Sequence, residues 1–320
     1  MKSKGLAVLK LFLPYLAIAV SLLVYFLVPG NGKQKQTDHP YYVYFLLILG
    51  VGFLVFALVG IFNSNIRKTA FEKAPFFTGV IIFLLFLNFI TTKTLLLPTL
   101  YFPSLDRIIG LIVENKWFLL KNVLDSFGLL GKGFLWGVSV GFLTGLALGY
   151  SKHVGYWLTP VTKVIGPIPT TAWIPLALST FPTTQSANVF LIAFAVWFPV
   201  TLMTSSGIQS IPNVNFEVSK TLGASTFYQI VHVAIPAAMP SIFLGIFYGT
   251  VSSFATLMAV EMNGNSSGIG WYINWQKSVM MYDGVYAGLI IIAAICSLTL
   301  TILFKVRDKV LVWQKGVIKW

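Results

Sequence analysis

Nine acidic residues, three histidines and one cysteine are the whole stock from which this 320-residue chain could build a reactive site. They are not arranged as one. His39, His153 and His232 fall in three separate connecting segments, so no metal-ligand spacing arises. Cys296 stands alone, which excludes an internal disulfide and a cysteine-based metal cluster. No Ser/His/Asp arrangement or paired carboxylates recommend themselves. No Gly-x-x-x-x-Gly-Lys-Ser/Thr loop is present to cradle a nucleotide phosphate. The residues whose spacing carries information are of another kind. Glu217, Gly223 and Pro236 punctuate a polar segment at 207–235, Pro167, Pro169, Trp173 and Pro175 interrupt an apolar one, and Glu261 ends another. Such positions suit binding and mechanical coupling rather than bond-breaking.

The elements that must position them are membrane helices. The chain is 57% hydrophobic and only 10% charged, where a soluble domain carries roughly 25% charged residues. Its mean hydropathy is +0.83. This composition excludes a soluble enzyme, a disordered chain and a fibrous one. A spanning helix needs about 20 apolar residues. Eight candidates meet that need, at 6–29, 41–62, 75–97, 127–150, 161–181, 187–206, 236–260 and 284–304. The first is too long for the core of a signal peptide and reads as a retained helix. Residues 98–126 are mixed in polarity and read as a loop with a surface helix. In the fourth span Gly137, Gly141, Gly145 and Gly149 recur every fourth residue, a face that lets another helix approach closely.

The net charge of +13 fits basic loops at an anionic membrane surface, without nucleic acid. With the N-terminus in the cytoplasm, Lys33, Lys35, Lys93, Arg107, Lys116, Lys121, Lys132 and Lys277 fall outside, leaving 14 of the 22 basic residues inside. Both termini and 207–235 are then expected to be cytoplasmic.

Residues 207–235 read as two short amphipathic helices. Asn213 or Asn215 is positioned to cap a helix running to Leu222, with Glu217 in its first turn. Gly223 stops it, Ser225 caps a second helix carrying Phe227, Ile230 and Val231, and Pro236 opens the next span. Gly223 is expected at positive φ.

Here the chain resembles the permeases of bacterial ABC importers. Their cytoplasmic signature is Glu-Ala-Ala, three residues, Gly, nine residues, then Ile-x-Leu-Pro. This chain has Glu217-Val218-Ser219, three residues, Gly223, nine residues, then Val233-Ala234-Ile235-Pro236. The surrounding Gly166-Pro-Ile-Pro-Thr-Thr-Ala-Trp-Ile-Pro175, Thr221-Leu-Gly-Ala-Ser225, Ile235-Pro-Ala-Ala-Met-Pro240, Val260-Glu261 and Gly268-Ile-Gly270 are similar to the nitrate/sulfonate/taurine/bicarbonate type. The resemblance covers about residues 75–310. It departs at residues 1–74, whose two spans exceed the usual six, and at Lys132, in a stretch where such permeases often carry an arginine.

The resemblance implies an all-α polytopic membrane protein with about eight transmembrane helices: a type I ABC importer permease core at 75–310, two added helices at 1–74 and a basic tail at 311–320. It implies that this chain is not an enzyme. ATP and Mg would bind a separate dimeric ABC ATPase, to which Glu217, Gly223, Ala224, Ser225, Phe227 and Pro236 would couple. The other partners implied are a second permease copy, an external substrate-binding protein and membrane lipid, at the cytoplasmic membrane of a prokaryote. Trp173, Pro175 and Glu261 are the candidates for the translocation path. An ion-gradient-driven transporter or channel is the alternative. It would need charged residues inside several spans and inverted repeats, and the spans are almost free of acids.

Overall fold

The computed structural model describes residues 2–34, 37–94 and 96–314. Lys35, Lys315 and Lys319, used in the charge balance, and residues 315–320 of the expected tail lie outside them. The described residues form helices joined by short turns, with no strand among them. Six helical stretches are long and apolar enough to cross a membrane: Tyr41–Gly60, Ile66–Lys93, Lys116–Tyr150, Thr184–Gln209, Thr226–Gly264 and Tyr282–Val310. The all-α polytopic architecture expected from composition is therefore present.

Two of the expected spans differ. The first becomes α1 (Lys2–Leu27), whose apolar stretch Leu11–Leu27 is shorter than the others. The fifth, at 161–181, is not one helix. It breaks after Ile165, resumes as a 3-10 turn at Thr170–Trp173 and ends as a seven-residue helix, Ile174–Thr180. Pro167 and Pro169 lack the N–H that would continue the ladder and push the residues before them toward extended backbone.

The chain packs as two units, residues 1–117 with 276–287 and residues 118–275 with 288–320. The first contains α1, α2 (Tyr41–Phe62), α3 (Ser64–Asn88) and α4 (Leu105–Glu114). Pro75, read above as a span boundary, lies inside α3. Ala17, Ile18, Tyr42, Leu46 and Ile81 form the apolar centre of this unit. Asp106 is buried beside them and accepts hydrogen bonds from Tyr42 N (3.0 Å) and the Tyr25 hydroxyl (3.4 Å). Burial pushes its carboxyl above the usual carboxylate range. Arg107 pairs with Asp283.

The second unit holds most of α5 (Lys116–Tyr150), which starts eleven residues before the expected fourth span and absorbs the C-terminal part of the supposed surface segment. It then contains α6 (Lys152–Ile165), α7 (Ile174–Thr180), α8 (Thr184–Gln209), α9 (Asn213–Thr221), α10 (Thr226–Gln229) and α11 (Ile235–Gly264). The short α12 (Ile269–Ser278) and the long α13 (Tyr282–Val310) complete the chain.

Helix α8 is the centre of this unit. The glycine face of α5 lies against it within the same chain: a Cβ on Gly137 would sit 2.5 Å from the Ala193 carbonyl oxygen, and one on Gly141 would sit 2.9 Å from that of Trp197. Gly245 of α11 also approaches α8, where a Cβ would sit 2.9 Å from Met203 Cβ and 3.1 Å from the Pro199 carbonyl oxygen. Backbone contact at these distances admits no side chain. Gly141→Leu is therefore expected to separate α5 from α8. Overpacking costs about 1–3 kcal/mol where neighbours can yield, and a backbone carbonyl cannot yield. A thermal unfolding assay in detergent checks this, and an unchanged midpoint would show that the pair tolerates the leucine.

Candidate functional site

The segment 207–235 builds a corner. Helix α9 begins at Asn213 with Pro212 as its cap residue, so neither Asn213 nor Asn215 caps it as expected; the restricted φ of Pro212 (−57°) sets the entry instead. Glu217 consequently lies past the first turn of α9 and has no ion pair among the described residues. Its expected place at the helix dipole is not the one it occupies.

At the other end, Gly223 N donates to the Lys220 carbonyl (3.0 Å) and Ala224 N to the Ser219 carbonyl (3.0 Å). This pair of bonds is the Schellman closure, which requires left-handed backbone at the glycine, and Gly223 has φ +81°. Ser225 then caps α10, its hydroxyl accepting from Tyr228 N at 3.3 Å. The second expected helix is only this four-residue turn. It runs through a π-helical segment, Ile230–Ala234, directly into α11. Pro236 thus sits within one continuous helical stretch, immediately after the π turn, where the wider ladder accommodates its missing N–H.

The corner has an inner and an outer face. Phe216 and Gln229 turn toward the protein. Val214, Val218, Leu222 and Phe227 are exposed, Leu222 and Phe227 at 82% and 76%. Glu217 is exposed between them. Phe227 does not share its side with Ile230 and Val231, which are half-buried.

Glu261 is buried, with 1% of its surface exposed. Its Oε1 accepts from the Ser126 hydroxyl (2.7 Å) and its Oε2 from Gly270 N (2.8 Å). Ser126 Oγ accepts in turn from Ile269 N (2.9 Å), and Asn122 Oδ1 from Gly268 N (2.9 Å). Three consecutive backbone N–H groups at the start of α12, which no preceding side chain caps, are satisfied by α5 and α11. Only glycine fits this close. Gly268 has φ +109°, and a Cβ there would fall 2.3 Å from Glu261 Oε1.

Trp173 ends the 3-10 turn, half-buried, with its indole edge-on to Phe194 (centroids 5.8 Å, 74°) and its Nε1 buried without a partner. Pro175 starts α7 at a position that needs no N–H. Neither residue touches Glu261 through any hydrogen bond among the described residues. Sequence reasoning missed two pockets that α5 and α8 line. One, a groove of about 540 Å³, is apolar and lined by Trp136, Val140, Phe181, Phe190, Phe194 and Trp197. Phe190, Phe194 and Trp197 stack in a ladder (5.9 and 5.6 Å between centroids), and Trp197 Nε1 donates to Thr144 Oγ1 at 3.1 Å. The other, of about 560 Å³, is polar, with Asp125, Lys132, Thr184, Gln185, Asn265, Ser266 and Ser267, and shares no lining residue with the first. The i, i+4, i+7 spacing of the three aromatic residues was the available signal.

Comparison with known proteins agrees with this architecture. Residues 137–312 match the family described as binding-protein-dependent transport system inner membrane component. The chain is 30% identical over 220 residues to a putative ABC transporter permease protein of Methanocaldococcus jannaschii, covering 67% of this chain and 82% of that one. It is 32% identical over 184 residues to the putative aliphatic sulfonates transport permease protein SsuC of Bacillus subtilis, covering 58% and 67%. In fold it is similar to a chain of the inward-facing MetNI methionine ABC transporter, with a TM-score of 0.52, 15% identity and coverage of 62% of this chain and 98% of that one. A match over more than half its length, joined to six membrane-capable helices, means that the chain belongs to the binding-protein-dependent inner membrane components: it is a multi-pass permease of the nitrate/sulfonate/taurine/bicarbonate ABC importer type and not itself an enzyme.

Proposed function

We propose that this permease works as a pair of copies with a cytoplasmic ABC ATPase dimer, which binds ATP and Mg, and moves a small anionic solute handed over by an external binding protein. The observation that carries the reading is the corner at 213–229. It presents Val214, Val218, Leu222 and Phe227 outward from a backbone locked at Gly223. Exposed apolar residues at the spacing of a helix edge suit a partner's groove. Glu217 would meet a basic group or helix N-terminus of that partner, with Gly223, Ala224 and Ser225 setting the angle and Pro236 joining the corner to α11.

The anionic class of the solute rests on similarity to permeases named for sulfonates, taurine, nitrate and bicarbonate. We place the path along α5 and α8, past the apolar groove and the polar pocket that they line. Trp173 would back the groove's aromatic ladder through Phe194, and Pro175 would position α7. Glu261 would set the polar pocket by holding the residues that follow Asn265–Ser267. Residues 75–310 form the transport domain in this reading and 1–74 an addition to it. Both termini face the cytoplasm, toward which 14 of the 22 basic residues are directed.

Proteoliposomes holding the permease and its ATPase test this. Uptake should require ATP and the binding protein. In a Cys296→Ser background, an impermeant maleimide should label Ser225→Cys in inverted vesicles and not in intact cells. Labelling in intact cells would overturn the orientation, and ATP-independent uptake driven by an ion gradient would favour the secondary-transporter reading.

A further inference from the structure

Among the described residues, two polar links join the end of α5 to the 207–235 segment: Gln209 Nε2, at the end of α8, donates to the Leu148 carbonyl at 3.4 Å, and the other reaches the 213–229 corner itself. Tyr150, the last residue of α5, donates its hydroxyl to Gln229 Oε1 at 3.2 Å. Its ring stands edge-on to Phe216 of α9, with centroids 6.1 Å apart and planes at 74°. Gln229 is 7% exposed. Its Nε2 donates to the carbonyl of Ala224, the residue that follows Gly223, at 3.4 Å. One buried amide therefore holds both the corner backbone and the end of α5.

Beyond these links an apolar cluster packs the junction. Ile208, Ile211, Ala234, Ala238 and Ile242 pack with Phe142 and Phe216. Such contacts are non-directional and tolerate sliding. A hydrogen bond requires a fixed direction and a narrow distance, so Tyr150–Gln229 sets the register between α5 and the corner.

The other end of α5 is also held by polar groups. Asn122 and Ser126 grip the backbone of 268 and 269, and Asp125, Gly128 and Lys132 line the polar pocket. A helix of 35 residues is roughly 50 Å long at 1.5 Å per residue. We infer that Tyr150 and Gln229 are positioning residues that transmit displacement of the 213–229 corner to α5, and through α5 to the polar pocket at its other end. This rests on the coupling role proposed above for the corner.

The test reads the far end of α5 while acting on the near end. Gly128 lines the polar pocket, and a Cβ there meets nothing within 4 Å. Gly128→Cys in a Cys296→Ser background thus accepts a maleimide probe. The complex with the ATPase is labelled without nucleotide and with Mg-ATP and vanadate. The expected result is a change in labelling rate of about tenfold. In Tyr150→Phe, which keeps the ring against Phe216, that change should be lost while the nucleotide-free rate and ATPase co-purification persist. Gln229→Glu keeps an acceptor for the tyrosine and should retain part of the change; Gln229→Met removes the acceptor, should lose the change as Tyr150→Phe does, and reads the same link should Tyr150→Phe fail to assemble. Gly223→Val is the control. If it abolishes the change and Tyr150→Phe does not, the glycine-packed α5–α8 pair transmits alone and the inference is overturned. If Gly223→Val also leaves the change intact, it is the coupling role of the corner that fails.

Discussion

Gly223→Val permease should reach the membrane with its spans intact and lose nearly all ATP-driven transport, at least tenfold. The reason is local. At φ +81° a β-branched residue is strained, so the Schellman closure opens and the angle between α9 and α10 changes. Leu222 and Phe227 lie on either side of Gly223 and are the most exposed apolar side chains of the corner. A partner groove shaped to both would accept neither. The spans are unaffected because a Cβ at Gly223 meets nothing within 4 Å; the damage is to backbone angle, not to packing. Glu217→Ala removes a charge without bending the chain, so its effect should be smaller, about threefold to tenfold, and should shrink as salt screens the lost interaction. ATP hydrolysis of the reconstituted complex, with and without binding protein, reads both. Full stimulation in both variants would show that the corner is not the coupling element.

Glu261→Ala should be the most destabilising single change near the polar pocket. The carboxylate satisfies Ser126 and Gly270 N at depth in the protein, and each buried polar group left without a partner costs about 1–3 kcal/mol. Two such losses, with the cavity left by the side chain, amount to about 3–5 kcal/mol. The start of α12 and the polar pocket would loosen together. Glu261→Gln retains one acceptor oxygen and should lose about half as much. Thermal unfolding in detergent, paired with the maleimide rate at Gly128→Cys, separates the two variants. Equal stability of Glu261→Ala and the parent would mean that the carboxylate does not hold the α12 N-terminus.

Much of the 213–229 corner was legible because its determinants are local. A glycine between a helix end and a serine cap specifies positive φ and a new turn within a few residues, and Gly223 and Ser225 behave accordingly. The helices at 41–62, 187–206 and 284–304 were equally legible, since hydropathy summed over about 20 residues decides membrane insertion without reference to the rest of the chain.

The misreadings have a shared origin. The N-terminal part of α5 carries Lys116, Lys121 and Asp125 and reads as part of a loop with a surface helix, yet it continues α5, where Asn122 and Ser126 pair with residues more than 140 positions away. Residues 161–181, by contrast, break at Pro167 and Pro169 as their prolines indicated. The glycine face pointed to a close neighbour without naming α8, and Glu261 was visible as an acid at a helix end without its partners. The sequence by itself determined which segments enter the membrane and where the corner turns, because those properties belong to consecutive residues. Only the tertiary structure decided that α8 fills the glycine face, that Glu261 and Ser126 cap α12 and that Phe190, Phe194 and Trp197 line a groove, because each of these depends on which distant backbone comes close enough to exclude a side chain or accept a hydrogen bond.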